Sequence, residues 1–197
     1  YNSVITLEAD RMALGTLSIA TAGAGNISAR NTTPGQLIDL GSTSDASAST
    51  LSLSQAELNR FTTQVLNIGQ NGGAASGQLT ISQPVSVQTS GGLTLSGAGI
   101  TQTAGAILTA GLVSFNSSAG VNMTLNNVFN TVGPSTSSGG AFQIRRAGGP
   151  LTIGGAVTAG ANPIMIATSG GNLTMGATGT LTNTGVKDIV LSTNQNF

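Results

Sequence analysis

The stretch GGLTLSGAGITQTAGAILTAGLVSF, residues 91–115, contains the pattern from which the fold can be predicted. It carries no charge and one aromatic ring, and it alternates small apolar side chains with Thr and Ser. Alternation with a period of two is typical of a β-strand that buries one face. The interspersed Gly residues are those that tight turns require. The stretch therefore predicts short strands separated by turns.

The same apolar–polar–apolar pattern recurs along the whole chain. Three similar copies, at 79–81, 93–95 and 151–153, place two aliphatic side chains on one face and Thr on the other. Strands this short are unstable alone, but they become stable when each stacks on its equivalent in the next repeat. Further copies are VITLEA (4–9), TLSIA (16–20), QLIDL (36–40), TLSLS (50–54), VLNIG (65–69), VNMTLN (121–126), AFQIRR (141–146), NLTMG (172–176) and DIVLST (188–193).

These repeats predict an all-β fold, a right-handed parallel β-helix that forms a single domain over residues 1–197. With coils of roughly 20–25 residues, the chain would make about eight or nine coils and a stack on the order of 40 Å long. A sandwich of β-hairpins is the alternative. It requires two-residue turns such as Asn-Gly, and only QNGG (70–73) offers one.

One segment departs from the strand pattern. In LSQAELNRFTTQVLNIG (53–69), Ser54 is followed three residues later by Glu57, which is the spacing of a capping box. Leu58 and Phe61 would then lie on one side of a single turn. We expect a short helical turn near residues 54–61. The alternative is a corner loop in which Glu57 and Arg60 neutralise each other at the surface.

Composition excludes several classes of function. Charged residues are 6% of the chain, the formal net charge is zero, and aromatic residues are 3%. The chain thus lacks the basic surplus and the stacking rings expected of a nucleic-acid-binding protein. It contains no His or Cys, which excludes zinc, copper and iron–sulfur sites, and it has no calcium-loop motif. We expect no cofactor, and no apolar run is long enough for membrane insertion.

The six acidic residues are spread too thinly to predict catalysis. Glu8 and Asp10 are the closest pair and would share one face of a strand near Arg11. General acid–base catalysis needs at least two well-placed groups, so we expect a structural protein and no enzyme. All six acids are Glu8, Asp10, Asp39, Asp45, Glu57 and Asp188.

The QIRR segment (143–146) holds the one pair of basic neighbours. If Arg145 and Arg146 point outward, they form a surface contact for an anionic glycan or for a neighbouring subunit. A glycan-binding or glycan-cleaving β-helix, acting through this pair or through Glu8 and Asp10, is therefore the alternative function. The Asn-rich run 116–130 is expected to have a structural role, with Asn side chains satisfying backbone groups in turns.

The segment TLSLSQAELNRFTTQVLNIGQNGGAASGQLTISQPVSV (50–87) resembles a recurring block of bacterial adhesins of the filamentous haemagglutinin type, and residues 91–108 and 170–181 are similar to repeats of that class. The resemblance implies a parallel β-helix, export by a two-partner or similar route, and a role at the cell surface. The matching residues are Ala56, Glu57, Leu58, Arg60, Leu66, Ile68, Gly69, Ser76, Gly77, Leu79, Thr80, Ile81 and Ser82.

The ends of the chain bear on how such a module would act. Both ends read as strands without a polar helical cap, so we expect either a fragment of a longer chain or a subunit that joins others end to end into a filament. Tyr1 and Phe197 would then pack across the junction. The expected function is a structural module of an extracellular bacterial surface fibre or adhesin, with weak multivalent contacts to cell-surface glycans.

Overall fold

The computed structural model describes residues 3–21, 24–44, 47–73 and 75–193, and this part of the chain is almost entirely β-structure. Its one helix is α1 (Gln55–Leu58). Its strands are β1 (Val4–Glu8), β2 (Ile19–Ala20), β3 (Asn26–Arg30), β4 (Leu37–Leu40), β5 (Thr50–Leu53), β6 (Phe61–Thr62), β7 (Val65–Ile68), β8 (Leu79–Ile81), β9 (Val85–Val87), β10 (Gly92–Gln102), β11 (Leu108–Val132), β12 (Ser135–Ser137), β13 (Phe142–Ala147), β14 (Leu151–Ile153), β15 (Ala156–Thr158), β16 (Ile164–Ser169), β17 (Leu173–Met175), β18 (Thr180–Thr182) and β19 (Ile189–Thr193).

The strands form a parallel β-solenoid of about eight coils. Among the described residues, 17 strands join through parallel ladders, and β2 and β6 form a separate parallel pair. This confirms the predicted all-β solenoid. It also excludes the hairpin sandwich, because hairpins would pair their strands antiparallel.

The coils line up into three faces. Face A contains β1, β3, β7, the start of β10, part of β11, β12, β15 and β18. Face B contains β5, β4, β8, the end of β10, part of β11, β13, β16 and β19. Face C contains β9, parts of β11, β14 and β17. The long strand β11 runs through all three faces and forms a whole coil.

The core is built from ladders of aliphatic side chains that stack in register. On face B, for example, Ile38, Leu79, Ile100 and Val121 occupy equivalent positions in successive coils and are buried. Each such burial contributes about 1.5–3 kcal/mol. The L-T-I segments behave as predicted: Thr80 faces outward between its two buried neighbours.

Three aromatic rings fill the middle of the stack. Phe115 lies edge-on to Phe129, with ring centroids 6.3 Å apart, and edge-on to Phe142, with centroids 6.0 Å apart. All three side chains are fully buried. This arrangement is favourable because the positive edge of one ring meets the negative face of the next.

Strand β5 departs from the coil order of the stack, although it is parallel to its neighbour β4. Ile38 of β4 pairs with Leu79 of β8 on one side and with Leu51 of β5 on the other. The strand β5 follows β4 in sequence, yet it lies on the opposite side of β4 from the rest of face B. It thereby supplies face B with a strand beside the first coil, where residues 9–18 form none.

The predicted capping box begins the helix that follows β5. The Glu57 amide donates to the Ser54 hydroxyl at 3.3 Å, and the Ser54 amide donates to the Glu57 carboxylate at 2.9 Å. Helix α1 is a single turn, shorter than the predicted 54–61, and Leu58 and Phe61 are both buried as expected. Glu57 also accepts a hydrogen bond from the Leu14 amide, so it serves the fold and does not simply neutralise Arg60.

Candidate functional site

Arg146 lies inside the solenoid, so the prediction that it forms a surface contact is wrong. Its side chain is 6% exposed, because alternation along β13 puts it on the same side as Phe142. Its Nε donates to the Phe129 carbonyl at 2.8 Å, and a terminal nitrogen donates to Asn130 Oδ1 at 3.2 Å. The other terminal nitrogen lies 3.4 Å from the Ala147 carbonyl. These neutral acceptors, where faces B and C meet, make burial of the guanidinium tolerable.

Arg145 points outward, as predicted, and is half-buried. Its guanidinium lines a pocket of about 210 Å³ that spans three successive coils. The Nε atom is shielded from solvent and has no hydrogen-bond partner among the described residues. The other residues that line this pocket, called here the corner pocket, are Gly105, Ile107, Leu125 and Asn126.

A bulge in β11 forms one wall of the corner pocket. Met123 pairs with Ile144 and Asn127 pairs with Arg146, so residues 124–126 stand opposite a single residue of β13. The alternation of VNMTLN predicts that Leu125 faces inward. Instead Leu125 is half-buried in the bulge, and the next inward position belongs to Asn127. Bulges of this kind redirect side chains and commonly border functional sites.

The buried Asn127 side chain holds the bulge in place. Its amide nitrogen donates to the Met123 and Leu125 carbonyls at 2.9 and 3.1 Å. Its oxygen accepts from the Leu108 amide at 3.0 Å and from the Gln102 side chain at 2.6 Å. Asn127 therefore has the structural role expected for the Asn-rich run. In the sequence, the only sign of this role is that Asn127 follows the inward-facing Met123 by four residues.

The acids proposed for an alternative catalytic face each have a separate structural partner. Glu8 forms an ion pair with Arg30 of the next coil, the one salt bridge within the described ranges. Asp10 accepts hydrogen bonds from the amides of Thr32 and Thr33 at 2.9 and 2.8 Å and from the Thr33 hydroxyl. These bonds stabilise the carboxylate and hold the pKa of Asp10 below its ordinary value of 3.8.

The remaining acids are dispersed. Asp39 lies on face B between its register partners Ser52 and Thr80, and one of its carboxylate oxygens is buried without a partner in the part of the chain that the structure describes. Asp45 lies outside the described residues. Within 3–21, 24–44, 47–73 and 75–193, no group of three or more His, Cys, Asp or Glu side chains could hold a metal ion.

The final coil presents a second surface of interest, the edge formed by β17, β18 and β19. Each of these strands pairs on one side only with described residues. Side chains that continue the interior ladders are exposed here: Leu191 stacks on the buried Ile166 but is 48% exposed, and Ile189 stacks on the buried Ile164 but is 43% exposed. Met175 and Val190 on the same edge are also exposed.

The first coil has matching edges. Strands β1 on face A and β5 on face B each pair on one side only within the described part. The interior at this end is covered, because Met12 is buried and Leu14 packs against the core. The proposed junction residues Tyr1 and Phe197 lie outside the described residues.

Comparison with known protein families, with curated proteins and with solved structures found no significant match to this chain. A search of the described residues for a helix long and apolar enough to cross a membrane found none.

Proposed function

We propose that this chain is a structural β-solenoid module of an exported bacterial surface fibre or adhesin, and that it stacks end to end. The main support for the proposal is that each end of the described solenoid has two strands that pair on one side only, and that these strands belong to faces A and B at both ends. Within the described residues, faces A and B end in β18 and β19 at one end and in β1 and β5 at the other. The adhesin character rests on the resemblance of residues 50–87 to haemagglutinin-type repeats.

Head-to-tail stacking would continue both ladders from one copy to the next. Strand β18 would pair with β1, and β19 with β5, in the parallel sense that every other coil uses. The exposed Ile189 and Leu191 would become buried against the next copy. Unpaired strand edges favour such association, and a head-to-tail contact that does not close on itself yields a filament.

The core is already covered at the first coil, and this limits which groups can form the contact between two copies. Met12 is already buried in the core at this end, so the contact would form through strand edges and through apolar side chains near them. Val4 and Leu37 are exposed at that end and provide such a surface. The long neutral flanks, rich in Thr and Ser, would remain available for weak multivalent contacts with cell-surface glycans.

Electron microscopy over a range of concentrations tests the proposal. We expect thin filaments with an axial repeat on the order of 40 Å, the length of about eight stacked strands. Leu191→Lys should abolish them, because it places a charge in the junction. The matched control is Val128→Lys, which changes an apolar residue of 41% exposure on a lateral surface and should leave filaments intact. Short rods at every concentration, or equal loss in both variants, would contradict end-to-end stacking.

The alternative of a glycan-cleaving face has less support. Glu8 and Asp10 are each engaged by residues of the next coil, so neither is positioned to exchange a proton with a substrate. Arg145 lines the corner pocket, and its Nε atom has no hydrogen-bond partner in the described part of the chain.

A further inference from the structure

The edge of the solenoid where faces B and C meet, at β13, carries two positive charges that form no ion pair with a carboxylate in the part of the chain that the structure describes. Arg146 inside the edge donates only to neutral acceptors, and Arg145 outside it makes no ion pair within the described residues. In a chain with six cations and six acids, two adjacent uncompensated guanidinium groups create a local positive potential. This potential favours a small anion at the corner pocket.

The corner pocket results from a local irregularity of the chain and is not part of the regular repeat. It exists because the bulge at 124–126 places Leu125 and Asn126 beside the Arg145 guanidinium. The buried Asn127 and the half-buried Gln102 side chains hold the bulge through hydrogen bonds to each other and to the backbone. The pocket walls are therefore preorganised, which lowers the entropic cost of binding.

The shape and charge of the pocket select the class of anion. A guanidinium presents parallel N–H groups that match the two oxygens of a planar carboxylate. A dianionic phosphate would leave its second charge against the apolar walls formed by Ile107 and Leu125, which is costly. The volume of about 210 Å³ is smaller than the roughly 300–1,000 Å³ of sites that enclose whole drug-sized ligands, so the pocket admits a terminal group.

We propose that the corner pocket binds the carboxylate of an acidic sugar, with Arg145 as the anchoring residue. Bidentate pairing to the carboxylate would satisfy the guanidinium. The apolar walls suit the C–H face of a sugar ring, and the exposed Asn126 amide can bond to a ring hydroxyl. This site is independent of end-to-end stacking, since it lies on the lateral surface of the central coils.

Titration of the isotopically labelled chain, followed by NMR, tests this assignment. The probes are glucuronate, glucose, acetate and inorganic phosphate at equal ionic strength. We expect glucuronate to shift the signals of Arg145, Leu125 and Asn126 in a saturable manner, acetate to bind more weakly, and glucose to cause no shift at this site. Phosphate binding more tightly than glucuronate, or acetate binding equally well, would overturn the assignment to a sugar acid.

Matched variants identify the anchor. Arg145→Gln should weaken glucuronate binding at least about tenfold, because the charge-assisted bidentate pair is lost. Lys187→Gln removes the same charge from an exposed site elsewhere and should leave binding unchanged. Asn126→Asp keeps Arg145 but supplies a competing carboxylate, and it should also abolish binding. Retained binding in Arg145→Gln or Asn126→Asp, with an otherwise unchanged spectrum, would overturn the proposal.

Discussion

At the scale of single residues, two buried polar side chains in this solenoid are stabilised by hydrogen bonds to backbone carbonyl groups. Asn127 and Arg146 occupy equivalent positions in neighbouring coils and are both buried. Each donates hydrogen bonds to backbone carbonyl groups of its own or an adjacent coil. Since an unpaired buried acceptor costs about 1–3 kcal/mol, these side chains stabilise an irregular path that an apolar residue could not support.

Asp10 should make the stability of the first coils depend on pH. Its folded-state pKa lies below the ordinary value of 3.8, because the Thr33 hydroxyl and the amides of Thr33 and Thr32 donate to the carboxylate. A lowered pKa means that the stabilisation is fully present above pH 3.8 and is lost as the pH falls through the folded-state value. Asp10→Asn should therefore be less stable than wild type at neutral pH, and the difference should shrink in acid.

Denaturant unfolding of both proteins across this pH range measures the difference. Thr33→Val, which removes the leading donor but keeps the carboxylate, is the matched control and should show a weaker pH dependence than wild type. A constant difference between wild type and Asp10→Asn down to the lowest accessible pH would contradict the proposed role of these hydrogen bonds.

At the scale of elements, helix α1 serves as a substitute for a missing strand. The Gln55 side chain accepts a hydrogen bond from the Ser86 amide at 2.7 Å and donates to the Ser86 carbonyl at 2.9 Å. Strand β9 pairs on its other side with β11, so the amide of Gln55 completes the bonding of β9 where the ladder of face C begins. The inserted helix thus protects an edge that would otherwise be open.

Replacement of Gln55 by Ala should expose that edge. The two lost hydrogen bonds should lower the free energy of unfolding by about 1–3 kcal/mol. Amide exchange should accelerate at Ser86 but much less at Val85, whose amide donates to the Ile107 carbonyl. Gln88→Ala is the control, because Gln88 donates to the Ser86 hydroxyl and not to the β9 backbone among the described residues. Unchanged amide exchange at Ser86 in Gln55→Ala would show that the Gln55 side chain does not protect the edge of β9.

At the scale of the whole molecule, stability is distributed along the stack, because each coil contacts mainly its neighbours. The aromatic cluster around Phe115 contains the largest fully buried side chains and joins neighbouring coils in the middle of the chain. The last coil is the opposite case, since its ladder residues are only partly covered within the described structure. Local stability should therefore be highest at the centre and lowest at the edge proposed to join another copy.

Phe115→Ala tests this distribution. Loss of the ring leaves a cavity between Phe129 and Phe142 and should cost about 3–5 kcal/mol. Hydrogen exchange should show lower protection in β11, β12 and β13 and little change in β1 and β3. Phe115→Leu, which retains most of the apolar volume, should lose about 1.5 kcal/mol or less. Equal loss of protection in every coil would contradict the nearest-neighbour view.

Local sequence patterns were enough to predict the architecture and the short-range features. Two-residue alternation in segments such as 79–81 and 151–153 made the strands and their inward faces predictable, because side-chain direction in a strand depends only on position. The spacing of Ser54 and Glu57 likewise predicted the capping box, which forms within one helical turn. The same alternation along β13 places Arg145 outward, but it does not show that the inward position of Arg146 offers acceptors for a guanidinium.

Features that depend on contacts between neighbouring coils could not be predicted from the sequence. The position of β5 on the far side of β4 results from a ladder partner 13 residues earlier in the chain, as in the pairing of Ile38 with Leu51. The burial of Arg146, the exchange of Leu125 for Asn127 at an inward position, and the corner pocket all follow from carbonyls and register shifts in adjacent coils. Alternation is a local property of the sequence, whereas register depends on the hydrogen bonds and side-chain packing between each coil and the coil before it.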